Sequence, residues 1–361
     1  MNITIDKAIL HALDPASGMP VISQTCMMLD QESREFLETH LLKCIESDEA
    51  QAGLIRLESG FGQKMSALSE RILGAPASSV APWEDVVDGG MEEMEVGPDD
   101  VEEAFMEESR GLAEQIYQIL SSNPEVPAGD LICMLATDSM GYKYFAALKM
   151  NYHDGFSHYY MNGTLSIVGQ RVLLPGVGRK LEEAFVVCLS NPCQLDVRII
   201  EKKYLMMDET REAYLSSRIL GCMPEISEKS KLMAVKKAVQ KANKEVLGDK
   251  KLVEQELLSR IHGVLMEEEA PTIGELCQQV FRDYPQVTPM VEERLAADNI
   301  DPEATVQVQA STVKRFEKQS VKTPDGIEVK IPADLYQDSN AVEFINNPDG
   351  TISLLIKNIL L

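Results

Sequence analysis

The sequence predicts an α+β protein in which an N-terminal, mainly antiparallel sheet with helices is followed by a helical segment and then by C-terminal β-hairpins. Three observations carry that prediction. Strand-like runs succeed one another at Asp130 to Thr137, Tyr142 to Asn151, Phe156 to Met161 and Leu165 to Leu174, which gives an antiparallel meander and the core sheet. From Ser227 to about Asp298 the apolar spacing is helical, with breaks near Gly248, Pro271 and Pro285. The last fifty residues then carry the same turn chemistry twice, in Thr323-Pro324-Asp325-Gly326 and Asn347-Pro348-Asp349-Gly350. In each, proline presets φ near −65° and glycine supplies the positive φ of a tight turn. At 361 residues the chain exceeds what one core serves. The expected domains are residues 1–225, α+β with an acidic loop near 75–100, and residues 226–361, helical and then hairpin.

Taken in order, Ile3, Ile5 and Ala8 alternate with polar residues, and a second apolar run covers Met19 to Leu29, so the N-terminus reads as a hairpin. Asp30 is placed to cap a helix carrying Phe36, Leu37, Leu41, Cys44 and Ile45, and a weaker helix covers Gln63 to Leu73. Ala75 to Gly97 mixes proline, glycine, serine and acid and reads as a loop that buries too little to order itself. It holds Trp83, the only tryptophan, either a docking anchor or a locally packed ring. Val101, Phe105, Leu112, Ile116 and Ile119 make a helix with acids in its first turn, ending before Asn123-Pro124. Leu181, Ala184, Phe185, Cys188 and Leu189 follow i, i+3, i+4, i+7, i+8, which predicts an amphipathic helix over Gly178 to Leu189. Val197 to Tyr204 returns to strand, and near the C-terminus Ile327, Val329 and Ile331 alternate with Glu328 and Lys330, as in a half-buried strand.

Composition narrows the function classes. A chain that is 44% hydrophobic and 25% charged is not disordered throughout. No run approaches the ~20 apolar residues that cross a bilayer, and the N-terminus lacks a cationic start and apolar core, so a cytoplasmic protein without a membrane partner is expected. Seven cysteines without paired short spacings read as reduced thiols. The net charge of −24 excludes surface-wide attraction to DNA, which needs local positive potential. Half of that excess lies between Glu84 and Glu108, which hold twelve Asp or Glu and no Lys or Arg.

Three basic constellations stand out against this background. Pro175-Gly176-Val177-Gly178 ahead of the predicted helix would present free N–H groups beside Arg179 and Lys180, a place for a phosphate or a plain loop. Cations at a helix N-terminus oppose the backbone dipole, which a bound anion or Glu182 and Glu183 would offset. Without a Gly-Lys-Ser/Thr ending the segment is no nucleotide P-loop. On the helix from about Glu228 to Leu247, Leu232, Val235, Val239, Ala242 and Val246 form the apolar stripe and Lys237, Lys241 and Lys244 the opposite face; six lysines and no acid lie between Lys229 and Lys244. Such a row neutralises phosphates, or is a solvated face. Lys314, Arg315, Lys318 and Lys322 beside Phe316 read as a basic hairpin arm, suited to nucleic acid or to protection of a strand edge.

Other signals carry less chemistry. Asp325, Glu328 and Lys330 resemble the Asp and Glu-x-Lys residues of metal-dependent nucleases, but the aspartate sits in a turn rather than on a neighbouring strand. His153 and His158 flank a turn at Asp154-Gly155 without a third ligand, and Cys188 and Cys193 are too far apart for a zinc pair. No metal site or cofactor is expected.

Val342-Glu343-Phe344-Ile345-Asn346-Asn347-Pro348-Asp349-Gly350-Thr351-Ile352-Ser353 resembles, nearly letter for letter, the C-terminal segment of the bacterial nucleoid-associated protein family of the NdpA type. Phe316-Glu317-Lys318-Gln319, Thr323 to Glu328, Ile200 to Tyr204, Val177-Gly178-Arg179-Lys180, and Asn123-Pro124 with Gly129-Asp130-Leu131 are similar to family segments in the same order. The resemblance implies a cytoplasmic protein found with the nucleoid, tied to double-stranded DNA directly or through DNA-handling proteins such as topoisomerases, and it implies no catalysis. A homo-oligomer stays open. The assignment of DNA contact to Arg179, Lys180, Lys237, Lys241, Lys244, Lys314, Arg315 and Lys318 rests on charge alone.

Overall fold

A computed structural model describes residues 2–74, 98–207, 210–322, 325–336, 338–349 and 351–358. Trp83 and the loop predicted over Ala75 to Gly97 lie outside the described residues. The chain divides into two compact units, Met1–Glu225 and Ile226–Leu361.

The first unit is built from β1 (Ile3–Leu13), α1 (Gln31–Ile45), β2 (Gln51–Ile55), α2 (Gly60–Leu73), α3 (Pro98–Ser122), β3 (Gly129–Asp138), β4 (Lys143–Asn151), β5 (His153–Met161), β6 (Thr164–Leu173), β7 (Glu183–Cys188), β8 (Leu195–Ile200), β9 (Leu205–Met207) and β10 (Thr210–Glu212). Six of the strands form one antiparallel sheet in the order β1-β3-β4-β7-β8-β2. Helices cover both faces of this sheet. Leu37, Leu41 and Cys44 of α1 pack with Ile5, Ile132, Leu148 and Val186, while Met65 of α2 and Phe105, Leu112 and Ile116 of α3 pack with Leu131, Phe145, Phe185 and Val187. Asp30 caps α1 by accepting from the Ser33 N–H at 2.8 Å.

Two-sided burial corrects one expectation. Gly178 to Leu189 is not a helix, since Glu183–Cys188 is the strand β7, seated between β4 and β8. Phe185 and Val187 face one core, and Ala184 and Val186 the other. A strand buried on both faces is apolar at nearly every position, so a helical template also finds its matches there. A second correction concerns the N-terminal hairpin. The Met19 to Leu29 run makes an isolated bridge at Val21 and a bond from the Met27 N–H to the Ala8 carbonyl, whereas the ladder of β1 forms with β3. Pro20, with no N–H, interrupts any ladder in that run. A third concerns the meander: β3 and β4 join the core sheet, but β5 and β6 pair with each other as a separate ribbon. It turns at Asn162 and Gly163, both at positive φ (52° and 82°), as a two-residue hairpin turn requires.

Gly62, in the first turn of α2, admits no side chain, because a Cβ there would stand 2.0 Å from the Arg56 carbonyl oxygen. Gly62→Ala must push that backbone away and is expected to cost about 1–3 kcal/mol. Urea unfolding of the variant checks this, and an unchanged midpoint would show that the Arg56 turn yields freely.

The second unit holds α4 (Glu228–Glu245), α5 (Lys251–Glu267), α6 (Ile273–Val280), α7 (Thr288–Ala297), α8 (Ala310–Val313), β11 (Lys318–Lys322), β12 (Glu328–Pro332), α9 (Ala333–Tyr336), β13 (Val342–Asn346) and β14 (Ile352–Ile356). Helices α4 to α7 enclose a core with Leu232, Val239, Leu257, Ile261, Leu276 and Val291. Ser227 caps α4, and Thr272 with Glu275 forms a capping box on α6. Val246 departs from the expected stripe. It lies past the end of α4 and is 45% exposed, while Asn243 is buried and accepts from the Lys250 N–H at 3.2 Å. The two hairpins follow as predicted, β11 with β12 and β13 with β14. Gly326 has φ 92°, and the Asp349 carboxylate accepts from the Thr351 N–H at 2.9 Å; Thr323, Pro324 and Gly350 lie outside the described residues. Of the three alternating apolar residues Ile331 is buried and Val329 half-buried, but Ile327 is exposed in the turn. The hydroxyl of Tyr336, beside Phe344, donates to the Leu252 carbonyl at 3.2 Å and so ties the hairpins to α5.

Candidate nucleic-acid interface

Beyond Lys229, the lysines of α4 divide into two groups. Lys231 pairs with Glu228 at 2.7 Å and donates to the Thr305 carbonyl, and Lys236 lies over the Phe316 ring at 5.8 Å, so both are spent on the fold. Lys237, Lys241 and Lys244 recur at i, i+4 and i+7 on the side away from buried Val235, Val239 and Ala242. Lys237 and Lys244 are exposed and Lys241 half-buried, and none forms an ion pair among the described residues. Their ammonium groups therefore form a stripe along about 10 Å of helix, at 1.5 Å rise per residue. On duplex DNA one phosphate charge falls every ~1.7 Å of axis with both strands counted, so a stripe of this length is comparable with the spacing of several phosphates.

Lys314 and Arg315 do not lie on a hairpin arm. They follow α8 in a turn, while Lys318 opens β11, opposite Pro332. All three are exposed, without an ion pair among the described residues, whereas Lys322 pairs across the hairpin with Glu328 at 3.4 Å. Phe316 is 5% exposed and packed in the helical core, so it offers no face for base stacking. Its contact with Lys236 instead holds the Lys314–Lys318 segment against α4. Lys314 also borders a groove of about 1020 Å³ whose lining mixes Arg260, His262 and Arg282 with Glu267 and Glu317. Mixed charge of that kind does not make a phosphate channel.

Arg179 and Lys180 lie in the loop from β6 to β7, and the loss of the predicted helix removes the dipole argument made for them. Gly176 and Gly178 are not at positive φ, and a Cβ on either meets nothing within 4 Å, so neither closes a backbone cradle. The loop is instead anchored on α1, where the His40 ring lies 3.2 Å from the Pro175 carbonyl and Lys43 donates to the Val177 carbonyl. Lys180 pairs with Glu49, which leaves Arg179 as the exposed cation of the loop without an ion pair among the described residues.

Of the nuclease-like residues, Glu328 is engaged elsewhere. Glu328 accepts from the Ser320 hydroxyl at 2.7 Å and pairs with Lys322, which together hold its carboxyl below the usual range, and Asp325 sits in the turn. Among the described residues no group of three or more His, Cys, Asp or Glu is placed to hold a metal ion, and no helix is long and apolar enough to cross a membrane. Cys188 and Cys193 are free thiols. Charge and motif did not single out the β5–β6 ribbon, whose signal is Asn162-Gly163 between runs of exposed aromatic and aliphatic residues.

Comparison with known proteins finds that residues 9–360 match the family described as nucleoid-associated protein YejK. No curated protein matches the sequence. Because the match spans nearly the whole chain, both units fall within it, and membership places the protein with the nucleoid in the bacterial cytoplasm. The chain belongs to the nucleoid-associated protein YejK family.

Proposed function

We propose that the protein binds chromosomal double-stranded DNA through its phosphates, without base readout and without catalysis, using Lys237, Lys241 and Lys244 with help from Lys314, Arg315 and Lys318. One observation carries this reading: in a chain of net charge −24, these lysines form a stripe that the fold leaves without ion pairs among the described residues. A row of ammonium groups without aromatic or amide partners positions a protein on DNA but carries no sequence information. Arg179 is a further contact in the first unit.

The rival reading is an adaptor whose acidic segment docks on a basic, DNA-handling protein such as a topoisomerase. It draws support from the net charge, but Glu102 and Glu108 of that segment pair with Lys7 and Lys64, which spends part of its charge within the fold. Binding to duplex DNA across a salt series separates the two. Lys237→Glu with Lys241→Glu and Lys244→Glu is expected to flatten the slope of log K against log salt by about three units. Each exposed substitution should change stability by no more than ~0.5 kcal/mol. A slope that does not move removes this face from DNA binding, and absence of wild-type DNA affinity at moderate salt favours the adaptor.

A further inference from the structure

The ribbon of β5 and β6 is a two-stranded sheet of its own, and such ribbons are marginal in water unless something covers them. Its register puts Phe156, His158 and Tyr160 on one face, opposite Gly169, Ile167 and Leu165. On that face Phe156 is 81% exposed, Tyr160 71%, Leu165 67% and Ile167 73%. The other face is mixed: Tyr159, Met161 and Val168, 42%, 58% and 39% exposed, stand among Ser157, Thr164, Ser166 and Gln170, and the Gln170 amide donates to the Ser157 hydroxyl at 3.1 Å. Both faces are open to water, and the face of Phe156, Tyr160, Leu165 and Ile167 carries the larger exposed apolar surface.

Charge and area together select the occupant. Residues 153–173 contain one arginine, Arg171, and one aspartate, Asp154, so the ribbon is formally neutral in a chain of net charge −24. A single cation cannot hold a phosphate backbone, and a basic or acidic partner finds no opposite charge to meet. A neutral apolar face is complementary to itself, and it lets two acidic chains approach where neither carries the charge that repels the other. The four apolar side chains expose roughly 650 Å², so two such faces would bury about 1,300 Å² in total. That falls within the ~1,200–2,000 Å² of a specific interface. We propose that two copies of this chain pack their β5–β6 ribbons face to face about a two-fold axis near Ile167, as two small sheets stacked ~10 Å apart.

Sedimentation velocity on the full chain over a concentration series tests the arrangement, with far-ultraviolet circular dichroism to follow the fold. Wild type is expected at twice the 40.1 kDa chain mass. Phe156→Glu combined with Ile167→Lys should give the monomer. Ile167→Thr, which keeps the β-branched side chain and hence the ribbon, should weaken the dimer by at least about tenfold. Val168→Lys, on the opposite face, should leave it intact. A monomeric wild type at every concentration, a dimer as tight in Ile167→Thr as in wild type, or a dimer lost equally to Val168→Lys would overturn the proposal. So would a wild-type monomer whose ribbon variants lose binding to duplex DNA or to a captured protein, since another occupant would then cover the face.

Discussion

Glu183→Leu is expected to cost the first unit about 3–5 kcal/mol, the largest loss predicted for a single substitution here. Glu183 and Lys149 are direct cross-strand partners on β7 and β4, 2.8 Å apart and 0% and 1% exposed. Both sit on the two central strands, at the end of their ladder, in a sheet that helices cover on both faces. The Lys149 ammonium is fully partnered, donating also to the Pro127 carbonyl at 2.8 Å and the Asn151 side chain at 2.5 Å. Burial pushes its pKa down and the Glu183 carboxylate pulls it back up. Taking the carboxylate away leaves a buried cation without its hydrogen-bonded counter-charge. The pair need not be net stabilising, because desolvating two charges offsets most of their attraction. Lys149→Met together with Glu183→Leu should therefore recover most of the loss. Urea midpoints for the two single variants and the double variant decide it: a double variant as unstable as the worse single would show that the pair itself stabilises the sheet, and one equal to the sum of the singles would show that the two residues do not interact.

Lowering the pH should destabilise the first unit through His11, by up to about 3 kcal/mol between pH 6.5 and pH 4. His11 is 0% exposed; its Nδ1 accepts from the Ser23 N–H at 3.2 Å and its Nε2 lies 3.2 Å from the Ser109 hydroxyl. This network assigns the neutral tautomer with the proton on Nε2, donating to Ser109. Protonation of Nδ1 would set two donors against each other. Burial, with the nearby Arg110 charge as a smaller contribution, lowers the pKa from 6.5 to about 4. The unfolded chain thus takes up the proton first as pH falls. The stability is complete above the unfolded value and is lost as pH drops towards the folded one. Carboxylates titrate in the same range, so the informative quantity is the difference between wild type and His11→Gln. That difference should widen in favour of wild type from pH 4 to pH 7, and a constant difference would mean that His11 takes up its proton equally readily in the folded and the unfolded chain.

The helical part of the second unit was legible because its signals are local. Ser227, the Thr272–Glu275 capping box and the prolines at 271 and 285 mark ends that backbone chemistry dictates. The lysine stripe was legible for the same reason, since the helical period alone separates Lys237, Lys241 and Lys244 from the core. The place of Phe316 was not legible, because nothing nearby in sequence tells whether an aromatic among cations faces solvent or the core, and the α4–α7 core took it. The fate of β7 depends on burial on both faces, which only distant residues create, and the apolar run Ala184-Phe185-Val186-Val187 fits either template without them. Strand signals in β5 and β6 were local and correct, but whether they join the main sheet is decided by β7 taking the place beside β4.

The sheet order sets a timetable for synthesis. β2 pairs with β8, so Gln51 waits for Ile199, 148 positions later, and β4 waits for β7. Until about residue 188 has left the ribosome the nascent chain exposes the open edge of β4, and until about residue 200 that of β7, each a template for unwanted pairing. Such non-local closure is slow. Residues inserted between α2 and α3 add little to it, because each doubling of a closed loop costs only ~0.6 kcal/mol. The N-terminal unit is therefore expected to become protease-resistant in one late step, and ribosome-bound chains ending before Leu195 should remain open to digestion however long they are held.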